Sequence, residues 1–314
     1  MREYYGIGFR VSCRGGGLEF VGVGGREWGA LGEGWVLAGK YSFSTGVLGC
    51  AAERGVPLAF RRMFRVYRFV WAGGPVAALV EAQLGALEGG FLGYAREFVA
   101  ASRDNKLWLL GVLEGEGYPV GGEREYIEDI DLGEPDSLDR LRAYEAAIHR
   151  AYYDALRRVL PPEYGFVERT RRPPRDCFSA ALSYGNMVLY GYVGAALRAV
   201  GFDTRVGFLH VPYRERDSLV YDLAEEFRQP IVDAVLIPLF TGRALGKRHF
   251  RRSGGGVYLS KRGRGLVAEA LRKRMSARLG GRSMLEHIYA QAEALAGSLL
   301  GGGGYEGFRV RRYL

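Results

Sequence analysis

Trp71-Ala72-Gly73-Gly74-Pro75-Val76 divides the chain into two patterns. Before it, Tyr4–Cys13, Leu18–Val23, Trp35–Ala38, Val56–Phe60 and Val66–Trp71 are short β-branched or aromatic runs between glycine clusters, the composition of strands and turns. A short helix is predicted at Thr45–Glu53. Beyond it, Val76, Leu79, Leu84, Leu87, Phe91, Tyr94 and Phe98 recur at helical spacing, and the pattern reaches Leu113. Pro75 suits a first helical position, where its missing N–H would have had no partner anyway. The predicted fold class is α+β. A small N-terminal β-sandwich-like domain, residues 1–73, precedes a larger all-α domain, residues 74–314.

Caps and spacing predict further helices. Asp136 or Ser137 can cap one bearing Leu138, Leu141, Ile148, Tyr152 and Leu156, ended by Pro161-Pro162. Asp176 can cap the next, with Gly201 just past its end. Ser218 precedes a helix through Ile231, and Ser283-Met284-Leu285-Glu286 forms a capping box opening a last helix to Leu300. Ten acids and one arginine between Glu114 and Asp139, in a glycine-rich context, predict an exposed connection.

With 48% apolar and 25% charged residues over 314 positions, the chain can bury a sizeable core and is not a disordered tail. Cys13, Cys50 and Cys177 are odd in number, scattered and without a CxxC. They argue against a disulfide framework or structural zinc, and for a reducing, cytoplasmic setting. Met1-Arg2-Glu3 leads into Tyr4-Tyr5-Gly6 without an apolar core, so no secretory leader is expected. Phe178–Leu197 is charge-free for 20 residues, but Ser179, Ser183, Asn186 and three glycines suit lipid poorly. A helix buried on all sides is predicted, with no membrane as partner.

The formal charge of +9 is uneven. Residues 177–314 hold 21 Lys+Arg against 11 Asp+Glu, a net of +10, whereas residues 105–176 hold 11 against 15. Arg243 to Arg282 carries 13 basic residues and one acid, Glu269. Such a stretch predicts a polyanion partner, nucleic acid before a membrane surface.

Chemistry is suggested by isolated acids in apolar company. Asp222 and Glu225 are three apart on a predicted helix, so their carboxylates share a face among Leu219, Val220, Leu223 and Ala224. His210 ends the buried-looking run Val206-Gly207-Phe208-Leu209, and Glu145 sits among Leu141, Ala143, Ala146 and Ala147. Buried carboxylates are normally paired or metal-bound, and one imidazole with carboxylates suits Mg²⁺ or Mn²⁺. Spacing alone does not join Glu145 to residues 65 positions downstream. Gly22-Val23-Gly24-Gly25 lacks the spacing of a dinucleotide loop, and no nucleophile elbow is present.

Ordered motifs carry a resemblance that covers nearly the whole chain. They are Arg171-Arg172-Pro173-Pro174-Arg175-Asp176, Ala180 to Gly185, Gly201-Phe202-Asp203, Val206 to His210 and Ser218 to Arg228, with Ala82-Gln83-Leu84, Ala95 to Val99 and Asn105 upstream. Together they resemble the CRISPR-associated endonuclease/integrase (Cas-one) family of spacer acquisition. Glu145 then resembles the family's first metal-binding glutamate and His210 its metal-binding histidine. Glu225 resembles the following acidic ligand, with Asp222 its companion, ligating or supporting. Where the family usually has Pro, Asn and Pro, this chain has Cys177, Ser179 and Thr204.

The resemblance implies a DNA nuclease and integrase using Mg²⁺ or Mn²⁺, active in antiviral defence. It would insert captured spacer DNA into the repeat array by 3′-hydroxyl transesterification, without a covalent enzyme intermediate. It also implies double-stranded DNA partners (prespacer and repeat array), a homodimer formed through the β domain, and a small ferredoxin-like partner nuclease. Arg169, Arg171, Arg172 and Arg175 would hold the entering strand; Arg243, Lys247, Arg248, Arg251 and Arg252 would track phosphates, joined by His249. Two alternatives remain: a non-catalytic basic DNA-binding protein, and the related mobile-element integrase, which usually carries an extra C-terminal module.

Overall fold

The computed structural model describes residues 2–14, 17–22, 25–30, 35–43, 45–53, 58–62, 65–69, 76–210 and 216–314. The proposed boundary at Gly73–Pro75 lies outside them. Strands β1 (Arg2–Arg14), β2 (Gly17–Gly22), β3 (Gly25–Ala30), β4 (Trp35–Phe43), β5 (Leu58–Arg62) and β6 (Arg65–Phe69) hydrogen-bond into one sheet, ordered β3-β2-β1-β4-β5-β6. The described strands of this first part thus form one mixed sheet rather than the expected sandwich-like pair. β1–β4 and β4–β5 are parallel and the other pairs antiparallel. β3 escapes the sequence reading because Gly25-Arg26-Glu27-Trp28-Gly29 lacks β-branched residues, yet it pairs with β2 along its length. Alternating Phe9, Val11, Leu18, Phe20, Trp35 and Leu37 meet Val47 and Ala51 of helix α1 (Thr45–Glu53) in a core of their own. That packing sets α1 on β1, where Cys13 and Cys50 form a disulfide, a correction to the reading of the three cysteines.

The larger part is helical: α2 (Val76–Glu88), α3 (Phe91–Gly115), α4 (Gly121–Glu128), α5 (Leu138–Val159), α6 (Cys177–Val200), α7 (Ser218–Ala224) and α8 (Ala234–Thr241). Then come strands β7 (Phe250–Ser253) and β8 (Gly256–Leu259), α9 (Lys261–Ser276), strands β9 (Arg278–Leu279) and β10 (Arg282–Ser283), and α10 (Met284–Gly301). Two short hairpins therefore correct the expectation of an all-α second part. The acidic stretch is no open connection either: α4 lies within it, with Ile127 fully buried. Asp176 and Ser283 cap α6 and α10 as expected, the latter with a capping box, and of the two alternatives for α5 the cap is Ser137.

α6 is buried along most of its length, and a Cβ on Gly185 would lie 2.6 Å from Val232 Cγ1. Its glycines serve close packing, and no helix among the described residues is long and apolar enough to cross a membrane. The helix expected from Ser218 through Ile231 stops at Ala224 and gives way to a π-helical turn, Arg228–Asp233, before α8. Pro230 in that turn has no N–H to donate. Its carbonyl accepts instead from Arg274 Nε at 2.7 Å.

Candidate metal centre

Two helices converge on a largely buried polar cluster. Glu145 and His149 lie one turn apart on α5, and Glu225 leaves the end of α7. A ligand atom from each of Glu145, His149 and Glu225 lies within 4.8 Å of the others. His149 Nδ1 is 3.7 Å from Glu145 Oε1, and its Nε2 is 3.9 Å from Glu225 Oε2. His149 went unread in the sequence, although Glu145 and His149 are spaced i,i+4, the spacing that stacks two side chains on one helical face.

His210, like Asp222, stands outside that group of three, near enough to feel the charges of Glu225 and Glu145. It lies in the irregular segment that follows Gly201, whose Phe208 and Leu209 are buried. Asp222, fully buried on α7, accepts the backbone N–H groups of Phe208 (2.6 Å), Leu209 (3.1 Å) and His210 (2.9 Å). Its Oδ1 also lies 2.7 Å from His210 Nδ1, leaving Nε2 as the ring nitrogen for a ligand. A carboxylate behind a histidine is how proteins orient an imidazole toward a metal. Here Asp222 backs His210 and stands outside the Glu145–His149–Glu225 group. A Cβ on Gly207 would lie 2.8 Å from the His210 carbonyl and 2.9 Å from Asp222 Oδ2, so this turn requires glycine.

Cations balance the acids. Arg228 Nη1 is 2.5 Å from Glu225 Oε1, at an angle that makes no hydrogen bond, so this buried oxygen has a charge partner and no donor. Lys106, buried on α3, donates to Ser102 Oγ at 2.6 Å, and that hydroxyl reaches Glu225 Oε2 at 3.4 Å. Burial pushes Lys106 down to about 8. Burial alone would raise Glu225, but the neighbouring charges, Arg228 first and then His149 and Lys106, outweigh it and bring the carboxyl down to about 2. Glu145 is raised, by burial and then by the charge of Glu225. Burial opposes the charged form of His210, but Asp222 more than offsets it and its pKa rises. Two carboxylates and imidazole nitrogens, with one carboxylate oxygen lacking a donor, form a hard donor set of the kind Mg²⁺ or Mn²⁺ takes.

The predicted basic residues separate into two groups. Arg169 is half-buried and donates to Ser179 O and Ser183 Oγ, both at 3.0 Å, so it fastens its loop to α6. Arg171, Arg172 and Arg175 are exposed on that loop, which meets the β7–β8 hairpin where Val257 N donates to Pro174 O at 2.8 Å. Arg175, Lys247, Arg251 and Arg252 consequently share a cavity of about 370 Å³ with Asp176 and Cys177. Arg248 is exposed beside them, and Arg243 faces Glu163 at 3.5 Å. His249 is corrected: it is buried, with Nδ1 3.2 Å from Gly246 O, and that position offers it no phosphate contact.

A family model described as "CRISPR associated protein Cas1" matches residues 33–273. The chain belongs to the Cas1 family. A relative in Thermus thermophilus named CRISPR-associated endonuclease Cas1 1 is 40% identical over 285 residues, covering 88% of this chain and 87% of the relative. The fold is shared with a chain of a partial Cas6-RT-Cas1–Cas2 complex (TM-score 0.84, 19% identity, 98% of each chain covered). It is also shared with a casposase bound to integration product (TM-score 0.78, 20% identity, covering 99% and 98%). The Cas1-family match spans Glu145, His149, His210, Glu225 and most of the basic stretch.

Proposed function

We propose that the chain is a divalent-metal-dependent DNA endonuclease and integrase of CRISPR adaptation, joining captured spacer DNA to a repeat end. The observation that carries this reading is the meeting of Glu145, His149 and Glu225 within 4.8 Å beside His210. Glu145, Glu225 and His210 would hold Mg²⁺ or Mn²⁺, with His149 as a fourth donor. When bound, the ion supplies Lewis-acid polarisation of the scissile phosphate and offsets charge on the leaving 3′-oxygen. Asp222 keeps the His210 ring aimed and its nearer nitrogen occupied. Arg228, more than any other neighbour, keeps Glu225 ionised at neutral pH.

The exposed Arg171, Arg172, Arg175, Lys247, Arg248, Arg251 and Arg252 would grip DNA phosphates, a sequence-independent and salt-sensitive contact. We further propose a homodimer built through the β sheet of residues 1–73, with residues 74–314 as the catalytic unit, and a small ferredoxin-like partner. A solved neighbour that is a Cas1–Cas2 complex supports such a partner. The test is strand joining and nicking on duplex DNA with and without Mn²⁺, for the unmodified chain, Glu145→Ala and His210→Ala. Loss of both activities with EDTA and in each variant, DNA binding being kept, supports the reading. Joining that survives EDTA contradicts it and favours metal-free DNA binding by the basic face.

A further inference from the structure

Residues 305–313 return from the end of α10 and wedge against the segment that carries Glu225. Asn105, fully buried on α3, sits at the junction. Its Nδ2 donates to the Glu226 carbonyl at 2.7 Å and to the Phe308 carbonyl at 2.8 Å, while its Oδ1 accepts from Val310 N at 2.9 Å. One amide thus ties the peptide next to Glu225 to the C-terminal segment. Glu226, also fully buried, repeats the tie: Tyr305 OH donates to its Oε1 at 2.6 Å and Phe308 N to its Oε2 at 2.8 Å. Phe227 stacks on Phe308 at 4.8 Å and 20°. Arg309 anchors the far side, 2.5 Å from Glu97 Oε1 and 2.6 Å from Asp104 Oδ2 on α3. Glycine is needed at 307, where a Cβ would lie 2.8 Å from Ala101 Cβ and 3.0 Å from Glu226 Oε1.

Glu225 itself stands where regular structure ends, after α7 and before the π-helical turn. Its N–H is held by Asp222 O at 3.1 Å and that of Phe227 by Ala224 O at 3.0 Å, two turn bonds past the end of α7 that flank Glu226. We infer that Asn105 and the segment Tyr305–Val310 are positioning elements that set Glu225 for metal binding, although they lie outside the ligand cluster. The inference rests on the proposed metal site. Its basis is geometric: a ligand on a helix end is only as well placed as the residue after it, and here that residue is held by Asn105 and the C-terminal segment.

The experiment measures Mn²⁺ affinity by calorimetry on the full chain, alongside Tm, metal-free DNA binding and hydrogen exchange at the Phe308 and Val310 amides. Asn105→Ala should weaken Mn²⁺ binding about tenfold or more, the usual scale for losing a group that supports a ligand. Exchange at both amides should quicken and metal-free DNA binding stay unchanged. Tyr305→Phe, which removes one hydroxyl and leaves the ring, should fold normally and weaken Mn²⁺ binding by a smaller factor, about threefold. Unchanged Mn²⁺ affinity in Tyr305→Phe, with the Phe308 amide exchanging faster, overturns the positioning role. Equal losses of Mn²⁺ affinity and of metal-free DNA binding also overturn it, because general loosening then explains both. Absence of Mn²⁺ binding by the unmodified chain overturns the metal site itself and this inference with it.

Discussion

Asp222 and His210 are joined twice, Oδ1 lying 2.7 Å from the ring nitrogen Nδ1 and 2.9 Å from the backbone N. The same carboxylate holds the N–H groups of Phe208 and Leu209, so one buried acid shapes the whole turn. Removing it leaves buried donors unpaired, at about 1–3 kcal/mol each. Asp222→Ala is expected to lower Tm by roughly 5–10 °C, the scale for a chain of this size. It should also lose strand joining. His210→Ala should lose joining with Tm nearly unchanged. Thermal unfolding run beside the joining assay separates them, and equal Tm values would remove the special status of Asp222.

At Glu225 the two obvious substitutions differ. Glu225→Ala leaves Arg228 and Lys106 buried without their carboxylate, a loss on the order of 3–5 kcal/mol for a broken buried pair. Glu225→Gln retains shape and polar atoms, so it should fold and still fail to join DNA. Circular dichroism and a joining assay on both variants check this; an active Glu225→Gln would exclude the carboxylate as a ligand.

His149 supplies a test the sequence did not suggest. If its ring contributes to the ion, His149→Ala should weaken Mn²⁺ binding roughly ten- to a hundredfold, the range seen when a ligand or its support is lost. A titration giving the same affinity as the unmodified chain would leave His210 as the imidazole donor.

Charge reversal at Arg248, Arg251 and Arg252 should weaken duplex binding and flatten its salt dependence, each lost phosphate contact reducing the log–log slope by about 0.9. Arg169→Ala should instead lower Tm with the slope preserved, because its guanidinium is spent on Ser179 and Ser183. Fluorescence anisotropy across a salt series distinguishes the two outcomes.

Stability should carry a pH signature from Asp233. Burial raises its carboxyl to about 6, while Tyr152 OH donates to it at 2.8 Å. The folded chain therefore holds this proton more tightly than an unfolded one, whose aspartate titrates near 3.9. The contribution is fully present below about pH 4 and is lost as pH rises through 6. Between pH 4 and 7 the unmodified chain should lose up to about 3 kcal/mol relative to Asp233→Asn. Denaturant unfolding of both at each pH measures the difference, and a constant gap would refute the shift.

The succession of a strand-forming part and a helical part, the caps at Ser137, Asp176 and Ser283, and the basic character of the last third are local properties. Propensity, spacing and charge are carried by neighbouring residues, so the chain itself determines them. The resemblance likewise marked Glu145, His210, Asp222 and Glu225 without any distance. Tertiary structure alone decided what these groups do to one another. Asp222 turned out to face the 208–210 turn, because Gly207 lets that turn close on it. His149 entered the cluster because α7 ends against α5, a contact between positions 76 apart that no local pattern encodes. His249 and Arg169, basic in sequence, were drawn inward by packing, since burial depends on which faces meet and not on residue type. Lys106 and Asn105 show the same limit: one polar side chain in an amphipathic helix reads as solvated until the fold places an acid or a returning chain end beside it.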